Sequence, residues 1–343
     1  MDPEFVFELR TCRWAERHWP PEGTCDVVVA RQLGTKRRRW DTVVVEVDAD
    51  ALVERGRFGR RRLDSDLLHV VRNAPAEWAW YQDALPDPGY PWRYVRETIH
   101  RADDRDVLDV RKRRNRLQIR RRYRYPDWVE RIVAIENKPD LDASAARALR
   151  GQLERDVALA LADEVWVATR STGDRVEPAL LEEMPVEAGI LTVDGGDADV
   201  AWFPRSLDAD APGTRIEERP DGGKYDQSAA HFEYVPADEK REKRLAIAER
   251  AYERGWRSYT KTMRPDCRHF HLRHENATML PYCGAKERCQ TAAECSQSCP
   301  QFEPEPPAWR QHGWPIEGGP GKGIRRLLER RRERERPSSP SRS

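Results

Sequence analysis

Three side chains in this sequence have the types and spacing for divalent-metal chemistry on a phosphate ester. Asp41 opens the run WDTVVVEVD, and Glu136 and Lys138 close the run WVERIVAIENKPD. Alternate residues of a strand face the same side, so Glu136 and Lys138 project together while Asn137 points away. If the two strands pair antiparallel, Asp41 sits beside Glu136, and the two carboxylates hold a Mg²⁺ that keeps several of its waters. Such an ion polarises a phosphate and lowers the pKa of the attacking water. An adjacent lysine orients that water and stabilises the charge that develops. The Asn137 carbonyl is a further candidate ligand. Glu-x-Lys alone is a common pair at any strand end, so the weight falls on the order of the surrounding elements.

A second group of ligand types lies near the C-terminus. Cys267, Cys283, Cys289, Cys295 and Cys299 crowd one polar stretch, with His269, His271 and His274 nearby. Four thiolates make a tetrahedral Zn²⁺ site, and the same ligands suit an iron–sulfur cluster. Zinc on Cys267, Cys283, Cys295 and Cys299, with Cys289 left outside, is the first reading, and the cluster is the other. The N-terminus lacks the basic start and apolar run of a secretory signal. The expected compartment is therefore the cytoplasm, where thiols stay reduced and cysteines serve as ligands more readily than as disulfides.

The elements that must position these residues follow from patterning. Residues 5–19 carry Phe5, Leu9, Cys12 and Trp14 at helical spacing, and DVVVARQLG and WDTVVVEVD read as strands, an α–β–β opening. Residues 63–124 show three helical patterns (63–74, 76–85, 91–103) and two strand-like runs, 106–111 and 117–123, joined by a turn over Lys112–Arg116. Three helices and a basic hairpin is the order of a winged helix-turn-helix, in which a helix enters a DNA groove and the hairpin touches the backbone. The alternative is a small helical cap whose arginines are simply solvated. The main pattern then resumes as strand, helix and strand, with Asp142 as the N-cap of the helix. The expected domains are a core over 1–62 and 125–205, the insertion 63–124, a linker over 206–235, a helix with the cysteine segment over 236–316, and a disordered basic tail over 317–343.

At this point the sequence resembles the PD-(D/E)XK nuclease superfamily, through RWDTVVV, Ile135-Glu136-Asn137-Lys138 and the following QLERDVALALADEVWVAT. The resemblance implies a restriction-endonuclease-like α–β–β–β–α–β core. It also implies a site completed by a Glu of the first helix and a Gln of the helix after the Lys, and Glu8 and Gln152 stand at those places. RecB-type members carry a Tyr four residues beyond that Gln, where this chain has Asp156. Members with a [4Fe–4S] cluster take one Cys from the first helix, where Cys12 stands, and three near the C-terminus, but the CxxC pair usual there is missing. The whole chain also resembles an uncharacterised family of haloarchaeal proteins.

Bulk properties are compatible with all of this. Sixty-one basic residues nearly cancel sixty acidic ones, so whole-chain charge argues for no partner, whereas the basic clusters at 36–39, 60–62, 111–124 and 325–336 do. No apolar run is long enough for a membrane span. The expectation is a Mg²⁺-dependent deoxyribonuclease. A non-catalytic DNA-binding or regulatory protein using the insertion is the rival, and a zinc-stabilised interaction module the third reading.

Overall fold

The computed structural model describes residues 3–170, 183–194, 196–218, 231–261, 267–275, 278–291, 294–295 and 299–303. Helix α1 (Pro3–His18) leads into β1 (Asp26–Gly34) and β2 (Arg39–Val47), an antiparallel pair, followed by a short helix α2 (Ala49–Gly56). After an inserted unit come β6 (Val129–Asn137), α6 (Ala143–Leu159), β7 (Glu164–Thr169), β8 (Gly189–Asp194) and β9 (Asp197–Trp202). These strands form one mixed sheet in the order β1-β2-β6-β7-β8-β9, with β6 antiparallel to β2 and parallel to β7. The parallel step needs a crossover, and α6 supplies it. Asp142 caps that helix by accepting the Ala145 N–H at 2.7 Å, and left-handed Ala160 turns the chain back toward β7.

Both faces of the sheet are covered, which is why β2 and β6 are buried along almost their whole length. On one face Phe5, Leu9, Cys12 and Trp14 of α1 pack on Val44, Val133, Ile135 and Trp166. On the other, Val43, Val45, Ile132 and Ala134 pack against Ile247, Ala248 and Ala251 of α7 (Ala237–Arg254), and α6 covers Val165 and Val167.

The inserted unit runs α3 (Ser65–Asn73), β3 (Ala79–Trp80), α4 (Tyr81–Ala84), α5 (Trp92–Asp104), β4 (Leu108–Arg113) and β5 (Arg116–Arg121), with strand order β3-β5-β4. The helices expected over 63–74 and 91–103 and the hairpin are present, whereas of the helix expected over 76–85 only the single turn α4 is helical, preceded by the strand β3. The short β3 was not expected, because two residues carry no periodicity. The hairpin turn is tighter than the expected Lys112–Arg116 turn. Arg114 and Asn115 both take positive φ, the two-residue loop that matches strand twist. The unit shares its core with the sheet: Leu67, Val71, Val95 and Ile99 belong to the same cluster as Val43 and Ile132. The seam is sealed by a fully buried ion pair, Arg55 on Glu249, whose carboxylate also accepts from Tyr125 Oη at 2.7 Å and Leu63 N at 2.7 Å.

The stretch expected as a linker instead carries a hairpin, β10 (Gly213–Glu218) with β11 (His231–Val235). It packs on α6, where Gly213 lies so close that a Cβ would meet the Leu159 carbonyl oxygen at 2.3 Å. Its Asp-, Gly- and Pro-rich composition reflects this close approach as well as turns. Beyond α7, a 3₁₀ turn (Trp256–Lys261) precedes a small antiparallel sheet of β12 (Phe270–Glu275), β13 (Thr278–Cys283) and β14 (Arg288–Cys289). The basic tail from 317 onward lies outside the described residues. Among the described residues, no helix is long and apolar enough to cross a membrane.

Candidate active site

The register of β2 on β6 decides which side chains meet. Thr42 pairs with Ile135, so the next positions in register are Asp41 and Glu136, as the antiparallel expectation required. Asp41 Oδ2 accepts the backbone N–H of Asn137 at 3.0 Å, which ties the two strand ends together. Asn137 itself points to the α1 side, where its amide donates to Thr42 Oγ1 at 3.0 Å.

Every carboxylate at this corner is gripped by named donors. Gln152 Nε2 on α6 donates to Glu136 Oε2 at 3.0 Å, and Arg38 Nη2 donates to Glu136 Oε1 at 2.5 Å. Glu8 on α1 accepts Arg31 through both oxygens, at 3.1 and 2.7 Å. Gln32 bridges the two acidic positions, donating to Glu8 Oε1 at 2.8 Å and Asp41 Oδ1 at 3.1 Å. Gln32 does this from φ +53°, a left-handed conformation inside a strand. Non-glycine residues adopt it at a cost of about 1–3 kcal/mol, and such strain clusters at functional sites. Glu8, Asp41, Glu136 and Gln152 therefore meet at one corner, and Lys138, whose Nζ bonds Glu4 on α1, lies near enough to feel the charges of Asp41 and Glu136.

Burial and mutual repulsion raise the acids of this corner. Burial, reinforced by the Asp41 charge, pushes the Glu136 carboxyl up to about 8 against the pull of Arg38. Burial likewise raises Glu8, against the pull of Arg31 and with a further push from Asp41. Burial disfavours the Lys138 ammonium, but Glu4, Asp41 and Glu136 outweigh it and its pKa is raised. Lys138 Nζ donates to Glu4 Oε1 at 2.7 Å. Lys138 is thus held in its protonated form. Each oxygen of Asp41 and Glu136 accepts one protein donor, which leaves it a second lone pair. Two such carboxylates with water completing the shell suit Mg²⁺, which seldom relies on an all-protein cage.

Three residues at the corner carried no signal of their own in the sequence: Gln32, Arg38 and Asp156. Arg38 lies in a tight turn between β1 and β2, where the Thr35 N–H donates to the Arg38 carbonyl at 2.6 Å. Gly34 is required there, since a Cβ would meet that same oxygen at 2.2 Å. Arg250 of α7 donates to the Gly34 carbonyl and steadies the turn. Asp156 on α6 forms an ion pair with Arg38, with 2.7 Å between Nη2 and Oδ2. The one available hint was that a departure from a pattern invites a search for a compensating partner.

The cysteine segment is gathered differently. Cys267, Cys283, Cys295 and Cys299 line one cavity together with Lys286, Glu294 and Phe302. Cys289 does not line this cavity and is buried in the α1 cluster. Cys12 does not join the four. It is buried under α1 with Sγ 3.3 Å from Thr42 Oγ1, and burial pushes its thiol far up. His269 turns to Glu303, with 3.2 Å between Nε2 and Oε2. Among the described residues, no group of three or more His, Cys, Asp and Glu side chains is drawn together tightly enough to hold a metal ion. The four thiols share a cavity without closing on a common centre.

No curated protein and no solved structure matches the chain. The chain belongs to a family of unknown function, DUF5787, whose family model matches residues 28–304.

Proposed function

We propose that this protein is a metal-dependent nuclease of the PD-(D/E)XK kind, hydrolysing phosphodiester bonds of DNA. The observation that carries the reading is the meeting of Asp41 and Glu136 at adjoining ends of β2 and β6, with Lys138 two residues further on. The element order of α1, β1, β2, β6, α6 and β7 is that of a restriction-endonuclease-like core and supports the same reading. Asp41 and Glu136 would hold Mg²⁺, which supplies Lewis-acid polarisation of the phosphate and a water of lowered pKa. Lys138, held protonated, orients that water and stabilises charge on the phosphoryl oxygens. Gln152 and Gln32 keep the carboxylates in place, and Glu8 is held by Arg31 and joined to Asp41 through Gln32.

The inserted unit supports a duplex partner. Its order of helix, strand, two helices and hairpin is that of a winged helix. Arg93, Tyr94, Arg96 and His100 are exposed on α5, and Lys112, Arg113 and Arg114 at the hairpin tip. The cysteine cavity would take Zn²⁺, or an iron–sulfur cluster, as a structural centre that pulls its four thiolates together. Brown colour and iron in the purified protein would select the cluster, and a colourless zinc protein the first reading.

Separate assays of DNA binding and DNA cleavage test the catalytic claim. Lys138→Ala is expected to bind labelled duplex, single-stranded or branched DNA as wild type does, while cutting at least a hundredfold more slowly in Mg²⁺ or Mn²⁺. A wild-type protein that binds DNA yet cuts none of these substrates with any divalent metal would leave the inserted unit as the functional part, in a DNA-binding regulator.

A further inference from the structure

The roles assigned above leave Arg38 unexplained. Its Nε and Nη2 donate to both oxygens of Asp156, at 3.0, 2.9 and 2.7 Å, and Nη2 also reaches Glu136 at 2.5 Å. Nη1 donates to the Arg39 carbonyl at 2.8 Å, leaving one Nη1 hydrogen uncommitted. Asp156 is 5% exposed, so it is a buried carboxylate with both oxygens devoted to orienting one guanidinium. The Arg38 side chain keeps 18% of its surface open. Around it, Lys36, Arg37 and Arg39 are exposed on the same turn, making a basic rim beside an acidic corner.

Stability alone is a poor explanation for this arrangement. Burying two carboxylates and a guanidinium costs desolvation that their mutual attraction seldom repays, and apolar replacements of similar volume are often as stable. Fixing a planar guanidinium with a dedicated carboxylate does have a chemical use. It presents the remaining donor edge to an anion without the ordering cost that a free arginine would bear.

We propose that Arg38 is a substrate-positioning residue: held by Asp156, it receives a backbone phosphate of the nucleic acid whose neighbouring phosphate lies at Asp41 and Glu136. This rests on the nuclease reading for the identity of the ligand. Lys36, Arg37 and Arg39 attract the strand, and Arg38 fixes its register. The Arg38–Asp156 pair then takes up the position at which the RecB-type pattern places a tyrosine.

The test is binding, measured without added Mg²⁺ or Mn²⁺ so that no cleavage is involved. Fluorescently labelled DNA oligonucleotides, single-stranded and duplex, each carry one uncharged methylphosphonate at a successive position, and affinities are read by anisotropy for wild type, Arg38→Ala, Arg38→Lys and Asp156→Asn. In wild type one methylphosphonate position is expected to weaken binding roughly tenfold. Arg38→Ala is expected to bind the all-phosphate DNA about tenfold more weakly and to be indifferent to the methylphosphonate at that position, because both changes remove the same contact. Asp156→Asn should give a smaller loss at the same position. Should Arg38→Ala fail to fold, Arg38→Lys keeps a charge and loses the two-oxygen grip, and must show the partial effect. The proposal is overturned if the variants lose affinity equally for every oligonucleotide, if they keep the wild-type response at that position, or if wild type shows no position of that kind or does not bind. A wild type that passes this test yet cuts nothing with metal would remove the nuclease reading and leave Arg38 as a phosphate anchor.

Discussion

The carboxylate corner and the cysteine cavity both gather ligand-type side chains from distant parts of the chain, yet they are held by different means. At the corner, the β2–β6 ladder sets the register and protein donors already occupy the acids, so the site is assembled by the fold. In the cavity, four cysteines from a small three-stranded sheet and its loops share one lining. Strand register thus assembles the first group, whereas loops gather most of the second.

The largest expected effect concerns the cavity. If metal binding supplies its order, Cys283→Ser or Cys295→Ser removes a contribution on the order of 10 kcal/mol. Limited proteolysis should then cut between 262 and 303 while the rest of the chain survives. Protein purified without metal, and equally resistant in the variants, would erase the contrast between the two regions. Next comes the seam behind the corner. Arg55→Ala leaves Glu249 buried without its partner and should cost about 3–5 kcal/mol in urea denaturation. α7 carries both Glu249 and the Arg250 that steadies the Gly34 carbonyl, so this variant should loosen the β1–β2 turn as well.

A smaller effect should appear with pH in the metal-free protein. Burial and Asp41 raise Glu136 from its ordinary 4.5 to about 8, so the folded state holds a proton that the unfolded state releases. The contribution of Glu136 to stability is therefore fully present below about 4.5 and is lost as pH rises toward 8. Glu136→Gln should flatten this slope, and saturating Mg²⁺ should reverse it by favouring the carboxylate. An unchanged slope in Glu136→Gln would mean that the corner is not strained by its charges. Smallest of all, replacing Lys112, Arg113 and Arg114 by alanine should reduce the dependence of log Kd on log salt by roughly one unit per lost phosphate contact, with cleavage per bound complex unchanged.

The parts of this fold that were legible in the sequence are those in which local pattern and tertiary role agree. The β-branched runs of β1, β2 and β6, the Asp142 cap and the amphipathic α6 announce themselves, and they locate Asp41, Glu136 and Lys138, whereas Gln152 was placed by resemblance. Glu8 was placed by resemblance, and its contact through Gln32 explains its value. What was hidden depends on single residues acting across space. Gln32 reaches its partners only through a left-handed backbone that no propensity suggests. Arg38 looks like one of four basic residues in a turn until Asp156, well over a hundred positions away, is seen to hold it. The β10–β11 hairpin was masked by turn-rich composition, because its stability comes from packing on α6.

The most direct test of the central claim is cleavage of end-labelled DNA by wild type and Asp41→Ala in Mg²⁺, at protein concentrations where both bind the substrate fully. The account predicts metal-dependent cutting by wild type and a loss of at least a hundredfold in the variant, with the melting temperature preserved or raised. Equal cutting by the two proteins would contradict it, and so would the absence of cutting by wild type.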